Sequence, residues 1–166
     1  MKRQRVKNQL SPNKPQGNEE QRARAYAFLL LKFRLRSERE LLSRLKHKGF
    51  SDETARNTAA FLKEKEFVDD RIFAKGWVSG RLKRPFGIRR IRQELIAKGL
   101  SREVIENAIS EAKADYDENA VAEELARQRF SKLIDVEPQK AKARTYGFLL
   151  RRGFSPEIIS DIIKKL

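Results

Sequence analysis

Seven cations crowd the stretch between Arg81 and Lys98, namely Arg81, Lys83, Arg84, Arg89, Arg90, Arg92 and Lys98, and Glu94 is the one acid among them. Five of the seven are arginine, whose planar fork pairs with carboxylates and phosphates two bonds at a time. The chemistry these residues suit is therefore the holding of anions, on nucleic acid or on an acidic protein surface. An ordinary solvated basic face is the plain alternative. Trp77 and Phe86 lie close by and could stack on bases. Trp77, however, falls on an apolar stripe and reads as core, while Phe86, beside Pro85 in a loop, fits either role.

Bond-making chemistry finds no comparable cluster. His47 is the single histidine and falls in the last turn of a helix, where a cation favours the dipole. Asp69 and Asp70 are adjacent, but Asp69 stands where a helix N-cap is needed. Cysteine is absent, which excludes a disulfide framework and a thiolate zinc site. Glycine-rich phosphate loops are missing too. No catalytic, metal or cofactor residues are expected, and no cofactor is implied.

The elements that must carry the cations come from a repeat. Leu45-Lys46-His47-Lys48-Gly49-Phe50-Ser51 recurs as Leu95-Ile96-Ala97-Lys98-Gly99-Leu100-Ser101 and as Leu149-Leu150-Arg151-Arg152-Gly153-Phe154-Ser155. Such spacing marks a repeat protein. Gly49, Gly99 and Gly153 each sit where a helix ends in a left-handed residue, and the apolar residue that follows can pack back on the leucine. The serine then N-caps the next helix. Each copy reads as a tight helix–turn–helix corner, so these glycines and Asp69 are expected to be structural.

Helical periodicity fills in the rest. Ala23, Tyr26, Ala27 and Leu30 share one face, and Ser37-Glu38-Arg39-Glu40 has the form of a capping box before Leu41 and Leu45. In the middle unit, Phe73, Ala74, Trp77 and Val78 precede a stop at Pro85, and Gly87 leads to Ile88, Ile91 and Leu95. The third helices align position for position: 55, 58, 59 and 62 with 105, 108, 109 and 112, and with 159, 162, 163 and 166. Strand-like alternation is absent. The expected fold is all-α, with three tandem three-helix repeats stacked into an elongated, curved array. Residues 1–20 read as a disordered basic arm, 21–68 as the first repeat, 69–115 as the second and 116–166 as the third.

Charge points to the partner. The chain of 166 residues has a net charge of +15, and residues 21–68 alone carry twelve Lys and Arg against six acids. Polyanions or acidic protein surfaces are the expected partners. No apolar run approaches the roughly 20 residues of a membrane span, and no signal-peptide core follows the basic N-terminus. A cytoplasmic protein, acting as a monomer away from membranes, is expected.

Phe67-Val68-Asp69-Asp70-Arg71-Ile72-Phe73-Ala74, then Gly87-Ile88-Arg89-Arg90-Ile91-Arg92-Gln93-Glu94-Leu95 and Lys98-Gly99, resemble the central signature of the RecX regulatory proteins. Ser37-Glu38-Arg39-Glu40-Leu41 resembles their first repeat, and Leu149-Leu150-Arg151-Arg152-Gly153-Phe154 their last. Valine at 68 departs from the commoner leucine. The resemblance implies a protein without an active site that binds the RecA recombinase in the groove of its filament on DNA. It further implies restraint of ATP hydrolysis, strand exchange and co-protease activity, a partner surface on the middle unit, and direct contact with single- or double-stranded DNA. A stand-alone DNA-binding protein, using the basic second helix of the middle unit, is the rival reading.

Overall fold

The structure, a computed structural model, describes residues 16–166 apart from Asp115. The first unit comprises α1 (Gln16–Phe33), α2 (Glu38–His47) and α3 (Asp52–Glu64). The second comprises α4 (Asp70–Leu82), α5 (Ile88–Ala97) and α6 (Arg102–Lys113). The third comprises α7 (Glu118–Phe130), α8 (Pro138–Arg152) and α9 (Pro156–Lys165), with one 3-10 turn at Ser131–Leu133. No strand occurs among the described residues, and none of their helices is long and apolar enough to cross a membrane.

Each unit owns its core. Ala23, Ala27, Leu41, Leu45, Ala55 and Leu62 close the first; Phe73, Val78, Ile91, Leu95 and Ile105 the second; Ala122, Ala126, Leu149, Phe154 and Ile159 the third. At all three corners the glycine is left-handed, with φ of 96°, 85° and 89°. The paired bonds of a Schellman motif are present each time. Phe50, Leu100 and Phe154 donate to the carbonyls of Leu45, Leu95 and Leu149, and Gly49, Gly99 and Gly153 to those of Lys46, Ile96 and Leu150. Ser51, Ser101 and Ser155 accept from the backbone of Thr54, Val104 and Ile158. Asp69 caps α4 through Arg71 and Ile72.

Two expectations need correction. The helix anticipated from Gln21 begins at Gln16, so residues 16–20 are not part of an arm, and residues 1–15 lie outside the described residues. Gly17 and the polar run around it conceal that start. Glu19 is held by Ser51 N (3.1 Å) and Thr54 Oγ1 (2.9 Å) on α3, a contact no local pattern announces. The capping box at Ser37 is only half made. Ser37 Oγ accepts from Glu40 N, but the Glu40 carboxylate goes to Arg34 and Lys98 instead of returning to Ser37.

Polar joints, built twice to one plan, connect the units. Asp70 at the start of α4 accepts from Glu38 N at the start of α2 (2.9 Å), and Glu118 at the start of α7 accepts from Ile88 N at the start of α5 (2.8 Å). Ser37 Oγ donates to the Lys98 carbonyl closing α5 (2.8 Å), and Gly87 N to the Arg152 carbonyl closing α8 (3.0 Å). The end of α8 thus meets the start of α5, and the end of α5 the start of α2, negative pole to positive pole. Gly99 and Gly153 take on a second duty here, because a Cβ on them would overlap the side chain of Arg39 and the backbone of Arg90. At Gly49 a Cβ would meet nothing within 4 Å among the described residues. Glu19 occupies the place of Asp70 and Glu118, four residues before a buried alanine, but it turns onto its own α3.

The glycine contrast predicts unequal costs. Gly49→Ala should lose only the left-handed penalty, about 1–2 kcal/mol, whereas Gly153→Ala should lose more and separate the melting of the third unit from the second. Chemical denaturation of both variants, with limited proteolysis near residues 114–117, checks this. Thr58 Oγ1 is buried with no hydrogen-bond partner, at a position where the other units carry Ala108 and Ile162. Thr58→Val should therefore raise stability by about 1 kcal/mol, read as a higher melting temperature.

Candidate binding cleft between the first and second units

The seven cations singled out in the sequence do not form one surface. Arg81 Nε and Arg90 Nε close on the two oxygens of Glu94 at 2.6 and 3.0 Å, and Trp77 Nε1 donates to the same carboxylate at 3.0 Å. Burial pushes the Glu94 carboxyl up, but the bonds from Arg90 and Trp77 and the charge of Arg81 outweigh it and hold the pKa below its ordinary value. Arg92 forks onto Glu106 of α6 at 2.7 and 3.0 Å, and that bond raises its pKa further. Lys98 reaches Glu40 of the first unit at 2.5 Å. Arg90 also donates to the Arg151 carbonyl and borders Gly153, which makes it a joint residue and not the free flank residue its position on the helix suggests. Lys83, Arg84 and Arg89 are exposed and have no salt bridge among the described residues. They lie apart: Lys83 beside Lys75 and Ser79, Arg89 beside Gln93 and Tyr146.

The aromatic residues are accounted for in the same way. Trp77, expected in the core, is only half-buried. The Arg81 guanidinium stands 4.7 Å and the Lys98 ammonium 4.1 Å from its ring centre. Phe86 is faced by Arg90 at 4.4 Å, Arg152 at 5.4 Å and Arg81 at 5.7 Å. Both rings are thus faced by cations of this chain.

A cleft of about 570 Å³ opens where α4 and α5 meet the first unit. Trp77, Arg81, Glu94, Ala97 and Lys98 form one wall. Arg34, Arg36, Arg39, Glu40, Ser43 and Arg44, from the α1–α2 link and α2, form the other. Six cations thus face two carboxylates. Glu40 is the keystone, taking both Arg34 nitrogens (2.9 and 3.1 Å) and Lys98. Burial penalises its charge, yet the hydrogen bonds from Arg34 and Lys98 hold its pKa down at about 2. Beside the cleft, burial raises the Asp70 carboxyl against the hydrogen bond from Glu38 N. The first-unit arginines were not singled out by sequence, although the doubled excess of cations over acids in residues 21–68 was the available signal.

Helix triplets joined in tandem, with a cation-walled cleft at a joint, define a helical-repeat protein. The chain belongs to the RecX family. Models of the first, second and third three-helix domains of RecX match residues 23–62, 69–109 and 115–163. The regulatory protein RecX of Haemophilus influenzae is 31% identical over 139 residues, 83% of this chain and 90% of that protein. RecX of Pasteurella multocida is 33% identical over 133 residues, 80% of each chain. Among solved structures, a regulatory protein RecX superposes with a TM-score of 0.78 at 20% identity, covering 90% of this chain and 73% of that one. RecX from Lactobacillus salivarius gives 0.75 at 19%, covering 90% and 97%. These two likenesses bear on the fold.

Glu40 ties the two walls together, and its acid dependence has a definite sign. Its folded pKa of about 2 lies below the usual 4.5, so its stabilisation is complete above pH 4.5 and is lost as pH falls towards 2. Glu40→Gln should cost about 1–2 kcal/mol at neutral pH after allowance for solvent screening. The gap between parent and variant should close at the acid end of a denaturation series run from pH 7 to pH 2.

Proposed function

We propose that this chain binds the filament formed by the RecA recombinase on DNA and restrains its ATP hydrolysis, strand exchange and co-protease activity. The observation that carries this reading is family membership through all three units, from residue 23 to residue 163. The protein acts by binding, as a monomer in the cytoplasm, and performs no chemistry of its own.

Two features support a protein partner. Phe33, Ile72, Leu35, Phe67 and Leu29 are 76, 56, 52, 52 and 51% exposed, all from α1, α4 and the links next to them. Apolar side chains of this size on a surface are what a protein interface uses, and the lysines and arginines interspersed with them favour an acidic rim on the partner. The rival, a stand-alone DNA-binding protein reading a groove with α5, is weakened by the same geometry. Glu118 occupies the start of α5, Ser37 contacts its end, and Arg90 and Arg92 are paired within the chain.

Added to RecA filaments on single-stranded DNA, the protein should slow ATP hydrolysis at ratios near or below one per recombinase. A broad titration at low salt that leaves hydrolysis unchanged, with filaments confirmed by light scattering, removes the reading. Arg89→Ala, on an exposed cation free of salt bridges, should keep the helical spectrum and weaken the inhibition.

A further inference from the structure

We propose that the cleft between the first and second units is a binding site for a multiply charged phosphate group, held by Arg36, Arg39 and Arg44 and reported by Trp77. The site differs from the middle-unit surface considered above, and the inference holds whether or not the protein partner is the recombinase.

Arg36 is the starting point. It is 9% exposed, lines the cleft, and makes one hydrogen bond, from Nε to the Leu30 carbonyl at 3.4 Å. That bond helps satisfy the end of α1, which accounts for one of its five donors. Its terminal nitrogens have no carboxylate or carbonyl partner among the described residues. They are not fully enclosed, but partial burial and like charge both oppose ionisation of the group. Both act here: desolvation lowers its pKa, and Arg34 and Arg44 lower it further by repulsion.

The neighbouring charges divide into two groups. Arg34, Lys98 and Arg81 are paired with Glu40 and Glu94. Arg36, Arg39 and Arg44 have no salt bridge among the described residues. They stand on the link before α2 and on its first two turns, with the Ser43 hydroxyl beside them in the same lining. Three unpaired guanidiniums around one cleft are poorly matched to a carboxylate, which is planar, singly charged and saturated by one or two forks. A phosphate presents oxygens in several directions and carries more charge, which suits convergent arginines. The Trp77 ring is already covered by Arg81 and Lys98, so recognition is of the phosphate and not of a base.

Phosphate of this kind comes free, as polyphosphate or a nucleotide tail, or as the backbone of a nucleic-acid strand. Trp77 is the only tryptophan in the chain and stands in the cleft wall, so its emission reports occupancy without a label. The full chain is titrated with inorganic tripolyphosphate and, separately, with a short oligothymidylate, with calorimetry for binding and Trp77 emission for location. We expect saturable binding of at least one probe with a matching change in emission. Arg36→Gln should weaken it roughly tenfold or more, as loss of a charge-assisted contact requires. Arg44→Gln, on an exposed side chain that the fold does not need, should weaken it in the same direction with the helical spectrum unchanged. Binding of both probes assigns the phosphate group itself, and binding of the oligonucleotide alone assigns a strand. The proposal is overturned by no binding of either probe, by binding that leaves Trp77 emission unchanged, by equal affinity in Arg44→Gln, or by tighter binding of an oligoglutamate of equal charge.

Discussion

The meeting of a helix end with the next helix start, over a glycine, is the contact on which the rest of this molecule depends. A unit of about fifty residues has a small core, and three such cores do not make one protein unless something orients them. At each joint the carbonyl that closes one second helix takes a donor from the N-cap of another, while an acid from the following unit takes the first amide of that same helix. Groups that every helix leaves unpaired at its ends are thereby paired with each other. The approach is close enough that the residue at the corner can carry no side chain. Left-handed geometry and steric exclusion fall on the same glycine, and together they fix where the two walls of the cleft stand.

Charge in this protein is partly structural. A net +15 suggests an open cationic surface, yet much of the middle unit's share is spent internally. Glu94 gathers Arg81, Arg90 and Trp77, Glu106 takes Arg92, and Glu40 takes Lys98 across the joint. Exposed pairs of this kind add little stability, but Glu40, Glu94 and Lys98 are largely buried and set the width of the cleft. Within the cleft, the cations without a salt bridge are Arg36, Arg39 and Arg44, all on the first unit's wall. The cleft is thus asymmetric: the cations of the second unit's wall are paired, while three on the first unit's wall are not.

Much was legible in the amino-acid sequence. The three corners, their leucine and apolar partners, the serine caps, the Asp69 cap and the aligned faces of the third helices all follow from short-range rules, because every interaction involved spans five residues or fewer. All-α character and the tandem organisation rest on the same spacing. Local reasoning went wrong where a local partner lost to a distant one. Glu40 forgoes the Ser37 backbone for Arg34 and Lys98, Glu19 extends α1 by anchoring on α3, and Trp77, though packed on the core at Phe73, turns its ring nitrogen to Glu94.

The sequence by itself determined the units: which residues form each helix, where each turns, and which faces close on one another. Only the tertiary structure decided the site, because a cation's availability depends on whether an acid from another element reaches it. Arg92 and Arg89 are indistinguishable as letters three positions apart on one helix, yet Glu106 takes the first and leaves the second exposed. The joints have the same character. Asp70 and Glu118 look like ordinary first-turn acids, and their role across the unit boundary appears only when the helix starts they serve are brought within 3 Å.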